Sequence, residues 1–115
     1  MTLCALSLQP LDFVKGYAEA LGEAASLDDE VASTEGALHL CLDMAHDARQ
    51  ISSFAPSADI REGGMGRASA FNECAEAYRQ LGEIYGWGSL PGLGDFISWR
   101  FSLAQGLINK QQEKP

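Results

Sequence analysis

Positive charge is scarce in this chain. Lys and Arg number eight against 16 Asp and Glu, for a formal net charge of −8. Residues 1–48 hold nine acids (Asp12, Glu19, Glu23, Asp28, Asp29, Glu30, Glu35, Asp43, Asp47) against one base, Lys15. Residues 49–115 balance at seven against seven, so the whole imbalance lies in the first 48 residues. Phosphate backbones are held by clustered Lys and Arg, which disfavours direct nucleic-acid binding by that half. A one-sided negative field, if those residues share a surface, favours a basic protein partner, including one that itself holds nucleic acid.

Cysteine occurs three times, at Cys4, Cys41 and Cys74. An odd, widely spaced set argues against a disulfide scaffold and points to a reducing, cytoplasmic compartment. No stretch approaches the roughly 20 apolar residues of a membrane helix. The apolar start, Met1 to Leu8, lacks the basic region of a secretory signal, so no membrane association is expected. With 115 residues, 46% hydrophobic and 21% charged, the composition fits one globular domain over residues 1–115.

Strand alternation is missing as well, and helical spacing takes its place. After Pro10, the residues Leu11, Val14, Tyr17, Ala18, Leu21, Ala24 and Ala25 recur at 3–4 intervals, predicting a first helix over 10–25. Ser26 reads as an N-cap for a second helix over 28–54, with Asp28, Asp29 and Glu30 suited to its first turn. Its apolar stripe includes Leu38, Cys41, Ala45 and Ala48, widened by Ala37, Met44 and Ile51, and Gly36 marks a place to bend or start late. Pro56 ends it. Residues 57–67, carrying Gly63, Gly64 and Gly66, read as a loop. A third helix is predicted over 68–85, with Phe71, Cys74, Tyr78 and Leu81 inward. Asn72, Glu73, Glu76, Arg79, Gln80 and Glu83 fall outward, and Gly86 is a natural C-terminal stop. A second Gly-rich loop leads to Asp95 as a cap, then a fourth helix over 96–111. The expected fold is all-α: a small bundle of about four helices joined by Gly-rich loops.

No catalytic residue emerges. Cys41 and Cys74 sit on apolar stripes, where a free thiol acts as a small hydrophobe. His39, Asp43 and His46 share an arc with Glu35, a spacing that suits a divalent transition metal. Those are the only two histidines, however, and the repeated Glu-x-x-His of di-metal bundles is missing; a solvated helix face with i,i+4 charge pairing is the plainer account of the arc. Arg61 and Arg67 flank Gly63, Gly64 and Gly66, so a loop opening a helix there, with Arg100, offers an alternative phosphate or nucleotide site. It lacks the Lys-Ser/Thr ending of a P-loop. Trp87, on a loop, reads as a lid on the bundle or an interface anchor. Arg100 falls within the apolar arc of its helix. There it requires an acid from the first two helices, or an intermolecular seam such as a homodimer.

Two functional classes follow. The first is a non-enzymatic acidic interaction protein that inhibits or regulates a basic partner, as anti-defence and immunity proteins of phages and mobile elements do. Asp28, Asp29, Glu30, Glu35, Asp43, Asp47 and Trp87 would meet the partner, and no cofactor is implied. The second is a small-ligand or metal-binding helical protein using His39, Asp43 and His46 or the Gly63–Arg67 segment.

Overall fold

The computed structural model describes residues 3–88 and 91–112, with the side chains of Leu3, Cys4 and Asp28 outside that description. The described residues are helical throughout their ordered elements: α1 (Leu3–Ser7), α2 (Leu11–Ala25), α3 (Leu27–Glu30), α4 (Thr34–Phe54), α5 (Ala58–Tyr85) and α6 (Gly94–Gln112). None of these helices is long and apolar enough to cross a membrane.

Local chemistry sets most boundaries. Pro10 precedes α2 and its carbonyl accepts from the Val14 N–H at 3.2 Å. The expected second helix divides into α3 and α4, because Ser33 is extended and its Oγ accepts from the Gly36 N–H at 3.1 Å, starting a new helix there. Ser26 does not cap with its side chain; its hydroxyl donates back to the Glu23 carbonyl at 2.8 Å. Gly86, at φ 95°, ends α5 in a conformation that favours glycine. The last helix begins at Gly94, one residue ahead of the expected Asp95 cap.

The main departure from expectation is α5. Residues 58–67 are its first turns rather than a loop, giving a helix of 28 residues. The reason is packing. A Cβ built on Gly16 would overlap the Gly63 carbonyl oxygen, and one on Gly66 would overlap the Phe13 carbonyl oxygen. A Cβ on Gly64 would lie 2.8 Å from the Ser52 Cβ. The glycines therefore let α5 approach α2 on one side and α4 on the other at backbone distance, and that burial outweighs their low helix propensity of about 1 kcal/mol each.

The long helices consequently form a layered arrangement. Helix α5 lies between α2 and α4, α6 packs on α2, and α1 touches α6. The extents are 49 × 29 × 21 Å; α5 alone spans about 42 Å at 1.5 Å per residue. The core joins Val14, Tyr17 and Leu21 of α2 to Phe71, Cys74 and Tyr78 of α5, with Cys41 and Ala45 of α4. Helix α6 is peripheral. It buries Ile97, Arg100, Ala104 and Ile108 within the chain and leaves Trp99 and Phe101 exposed, so it is not a central helix.

Candidate functional site

Burial orients α4. Thr34, Ala37, Cys41, Ala45, Ala48 and Ser52 face inward at helical spacing, which turns Glu35, His39, Asp43, His46, Asp47 and Gln50 out to solvent. The Ser33 cap fixes the first turn from which this arc runs. Asp29 and Glu30, on α3, are also exposed and precede the arc by the short Val31–Ser33 link. The expected contribution of the Asp28 side chain lies outside the described residues.

The acids of the N-terminal half separate into two groups. Asp12, Glu19 and Glu23 belong to α2, and Arg67 of α5 pairs with Glu23 at 2.6 Å and Glu19 at 3.8 Å. The second group, on α3 and α4, has no such partner: among the described residues no Lys or Arg forms an ion pair with Asp29, Glu30, Glu35, Asp43 or Asp47. Among the described residues its one such contact is local, His39 Nε2 at 3.9 Å from Glu35 Oε1, with both side chains largely exposed.

Trp87 joins the first turn of this face. Its carbonyl accepts from the Glu35 N–H at 3.2 Å, and its ring lies flat against Gly82, where any Cβ would overlap the indole. The residue remains 37% exposed. Glu35, Leu38, His39 and Trp87 line a shallow cavity of about 310 Å³. Two residues of the expected partner set, Glu35 and Trp87, are thus brought together across 52 positions of sequence.

The alternative sites fare differently. His39, Asp43 and His46 share an arc but are strung along it, with the two imidazoles about 10 Å apart in axial rise at seven residues. No group of three His, Cys, Asp or Glu placed to hold a metal ion exists among the described residues. The anion site built on Gly63, Gly64 and Gly66 loses its loop, since these residues sit inside α5 against neighbouring backbones. Its arginines are engaged elsewhere. Arg61 Nη1 donates to the Ala55 carbonyl at 3.0 Å, Arg67 pairs with Glu19 and Glu23, and Arg100 pairs with Glu73.

That last pair corrects two expectations. The acid comes from α5, not from the first two helices, and Glu73 points inward rather than to solvent. The Glu73 and Arg100 side chains are 14% and 8% exposed, and the guanidinium lies 5.9 Å from the Phe96 ring centroid and 5.3 Å from that of Trp99. Burial alone would lower the Arg100 pKa, but hydrogen bonding and charge from Glu73 outweigh it and hold the value above the ordinary one. Tyr17, fully buried, faces the same pair; burial first, then the Glu73 carboxylate, push its phenol well above its usual value near 10. The cluster ties α2, α5 and α6 together and keeps the Tyr17 proton in place, which is a structural role.

Sequence reasoning missed one surface. Ile51, placed on the inward stripe, is 66% exposed, and Phe54 and Ile60 are 83% and 52% exposed. They surround the turn between α4 and α5. A signal existed for Phe54, which falls four residues after Gln50 and so on the outward arc. No known family model, curated protein or solved structure matches the chain.

Proposed function

We propose that this protein works by binding rather than by bond chemistry, as an acidic inhibitor or regulator that docks on a basic protein partner, including one whose own task is to hold nucleic acid. Small acidic anti-defence and immunity proteins of phages and mobile elements act in this physical manner. The observation that carries the reading is the outward arc of α4: Glu35, Asp43 and Asp47 are exposed and lack a Lys or Arg ion-pair partner among the described residues. Such carboxylates raise encounter rates with a cationic surface, and apolar anchors then slow release. Trp87 and the residues around the α4–α5 turn supply those anchors. Cys41 and Cys74 are buried cysteines outside any disulfide, which suits action in the cytoplasm.

The test is affinity capture from host extract at low and high salt, with the wild-type chain and an Asp43→Asn/Asp47→Asn variant as baits. Screening shortens to about 3 Å at 1 M salt, so a basic protein should be retained at low salt only and lost with the variant. A partner held equally by both baits at both salt concentrations overturns the reading.

A further inference from the structure

We infer that the cavity between Trp87 and the first turns of α4 receives one guanidinium group, the side chain of an arginine on the basic partner. This rests on the cationic-partner reading above and names the residue type that enters and the place it enters. Glu35, Leu38, His39 and Trp87 line the cavity, which measures about 310 Å³. That is the small end of the range for ligand pockets, and it suits one long side chain rather than a helix or a strand.

Backbone holds the walls in place. Gly86, at φ 95°, turns the chain out of α5, and the Trp87 carbonyl then accepts from the Glu35 N–H at 3.2 Å. The indole is backed by Gly82, where a side chain would collide with it, so little freedom is left for it to lose on binding. One residue further along α4, the Gly36 N–H donates to Ser33 Oγ at 3.1 Å. Two N–H donors of that first turn are thus taken by the chain's own oxygens, which leaves the Glu35 carboxylate as the charge that a ligand meets.

Charge and shape select the occupant. Among the described residues no Lys or Arg lines the cavity. His39 Nε2 stands 3.9 Å from Glu35 Oε1, beyond hydrogen-bond reach, so the carboxylate keeps its acceptor sites. The bases of the adjoining helices are distant or engaged. Arg49 of α4 lies about 21 Å further along the axis, and Arg79 of α5 is held by Glu76 and Glu83. An indole beside a carboxylate matches a guanidinium, whose plane stacks on the ring while its N–H pair meets the two oxygens. An ammonium has no plane to stack, and a methylated ammonium calls for a cage of aromatic walls. Trp87 is the one aromatic among the described lining residues. A phosphate or carboxylate ligand would meet Glu35 with no cation in the wall.

The experiment is a titration of isotopically labelled full-length protein with four small probes, followed by amide and indole N–H chemical shifts. The probes are N-acetyl-arginine amide, the matching lysine and citrulline compounds, and free arginine. Citrulline keeps the shape of arginine without its charge. The expected result is saturable shifts at Glu35, His39 and Trp87 with N-acetyl-arginine amide, weaker binding of the lysine compound and none of citrulline. Free arginine brings a carboxylate to an acidic surface and should bind more weakly than the blocked form. Glu35→Gln should weaken binding by about twofold to fivefold, and Trp87→Leu by a similar factor of about twofold to fivefold. His39→Lys, an exposed position, sets a fixed cation beside Glu35 and should abolish the shifts even if Trp87→Leu loosens the fold. Arginine shifts confined to Asp43 and Asp47, or no shifts, overturn the pocket. Citrulline binding as tightly as arginine overturns charge selection, and lysine binding as tightly overturns the guanidinium assignment. Free arginine binding more tightly than the blocked compound would make a free metabolite the occupant and overturn the inference as well. Repeating the salt-dependent capture with a Glu35→Gln bait separates the two levels. A basic protein retained equally by that bait and the wild type overturns the pocket alone, whereas capture of no basic protein by either overturns the cationic-partner reading.

Discussion

Gly16 of α2 lies so close to Gly63 of α5 that a single added carbon on Gly16 would overlap the Gly63 carbonyl oxygen. Gly16→Ala therefore opposes two effects: a gain in helix propensity of about 1 kcal/mol and an overlap with rigid backbone that costs about 1–3 kcal/mol or more. Overlap wins. Urea unfolding should show Gly16→Ala destabilised, whereas Gly22→Ala, with nothing within 4 Å of its Cβ position, should be stabilised by up to about 1 kcal/mol. Equal stabilisation of both would contradict the close crossing.

The Glu73–Arg100 pair predicts a non-additive series. Replacing one partner, as in Glu73→Leu or Arg100→Met, strands a buried charge and should destabilise by about 3–5 kcal/mol. The double variant Glu73→Leu/Arg100→Met removes both charges and should recover most of that loss. Thermal or denaturant unfolding of the three proteins checks it; additive losses would show that the two side chains do not act as a unit.

Tyr17 gives a pH prediction. Its folded-state pKa is raised above the unfolded value near 10, so the stabilising effect is complete below pH 10 and is lost as pH rises further. Once unfolded tyrosine ionises while Tyr17 stays protonated, stability falls by about 1.4 kcal/mol per pH unit. The difference in unfolding free energy between wild type and Tyr17→Phe, followed from pH 8 to 11, should stay constant up to about pH 10 and then shift in favour of the variant. Parallel curves throughout would show that Tyr17 is not held protonated.

Gly82 and Trp87 form a third coupled pair. Gly82→Ala leaves no room for the indole against α5 and should release it to solvent. In a Trp99→Phe background Trp87 is the one remaining tryptophan of the chain's two, and its emission should move to longer wavelength with a stability loss of about 1–3 kcal/mol. Unchanged emission would show that the ring does not rest on Gly82.

These pairs also show where the sequence was readable. The boundaries of α2 follow from Pro10 and a regular apolar stripe, and the end of α5 from Gly86, all local signals. The exposed arc of Glu35, His39, Asp43 and His46 was equally visible, because the inward stripe of α4 is made of small apolar residues at unbroken spacing. Residues 57–67 misled because glycine signals a loop when its neighbours are taken alone, and only the facing backbones of Phe13, Gly16 and Ser52 reveal a helix crossing. Glu73 misled for a similar reason: its partner lies 27 residues further on, so a charge next to Cys74 looked solvent-facing. Ile51 fits an inward stripe by spacing, but Ser52 and Gly64 already fill that space.

The central claim is that the acidic outer arc of α4, continued by the apolar turn beyond it, is where a basic partner sits. Site-specific photo-crosslinking tests it most directly, with the reactive group placed in turn at His46, Gln50 and, as a control on the outer side of α5, Gln80. The account predicts that a basic protein crosslinks from positions 46 and 50, that its yield falls as salt rises, and that position 80 stays silent. Crosslinking of that protein from position 80 alone, with a yield indifferent to salt, would contradict it.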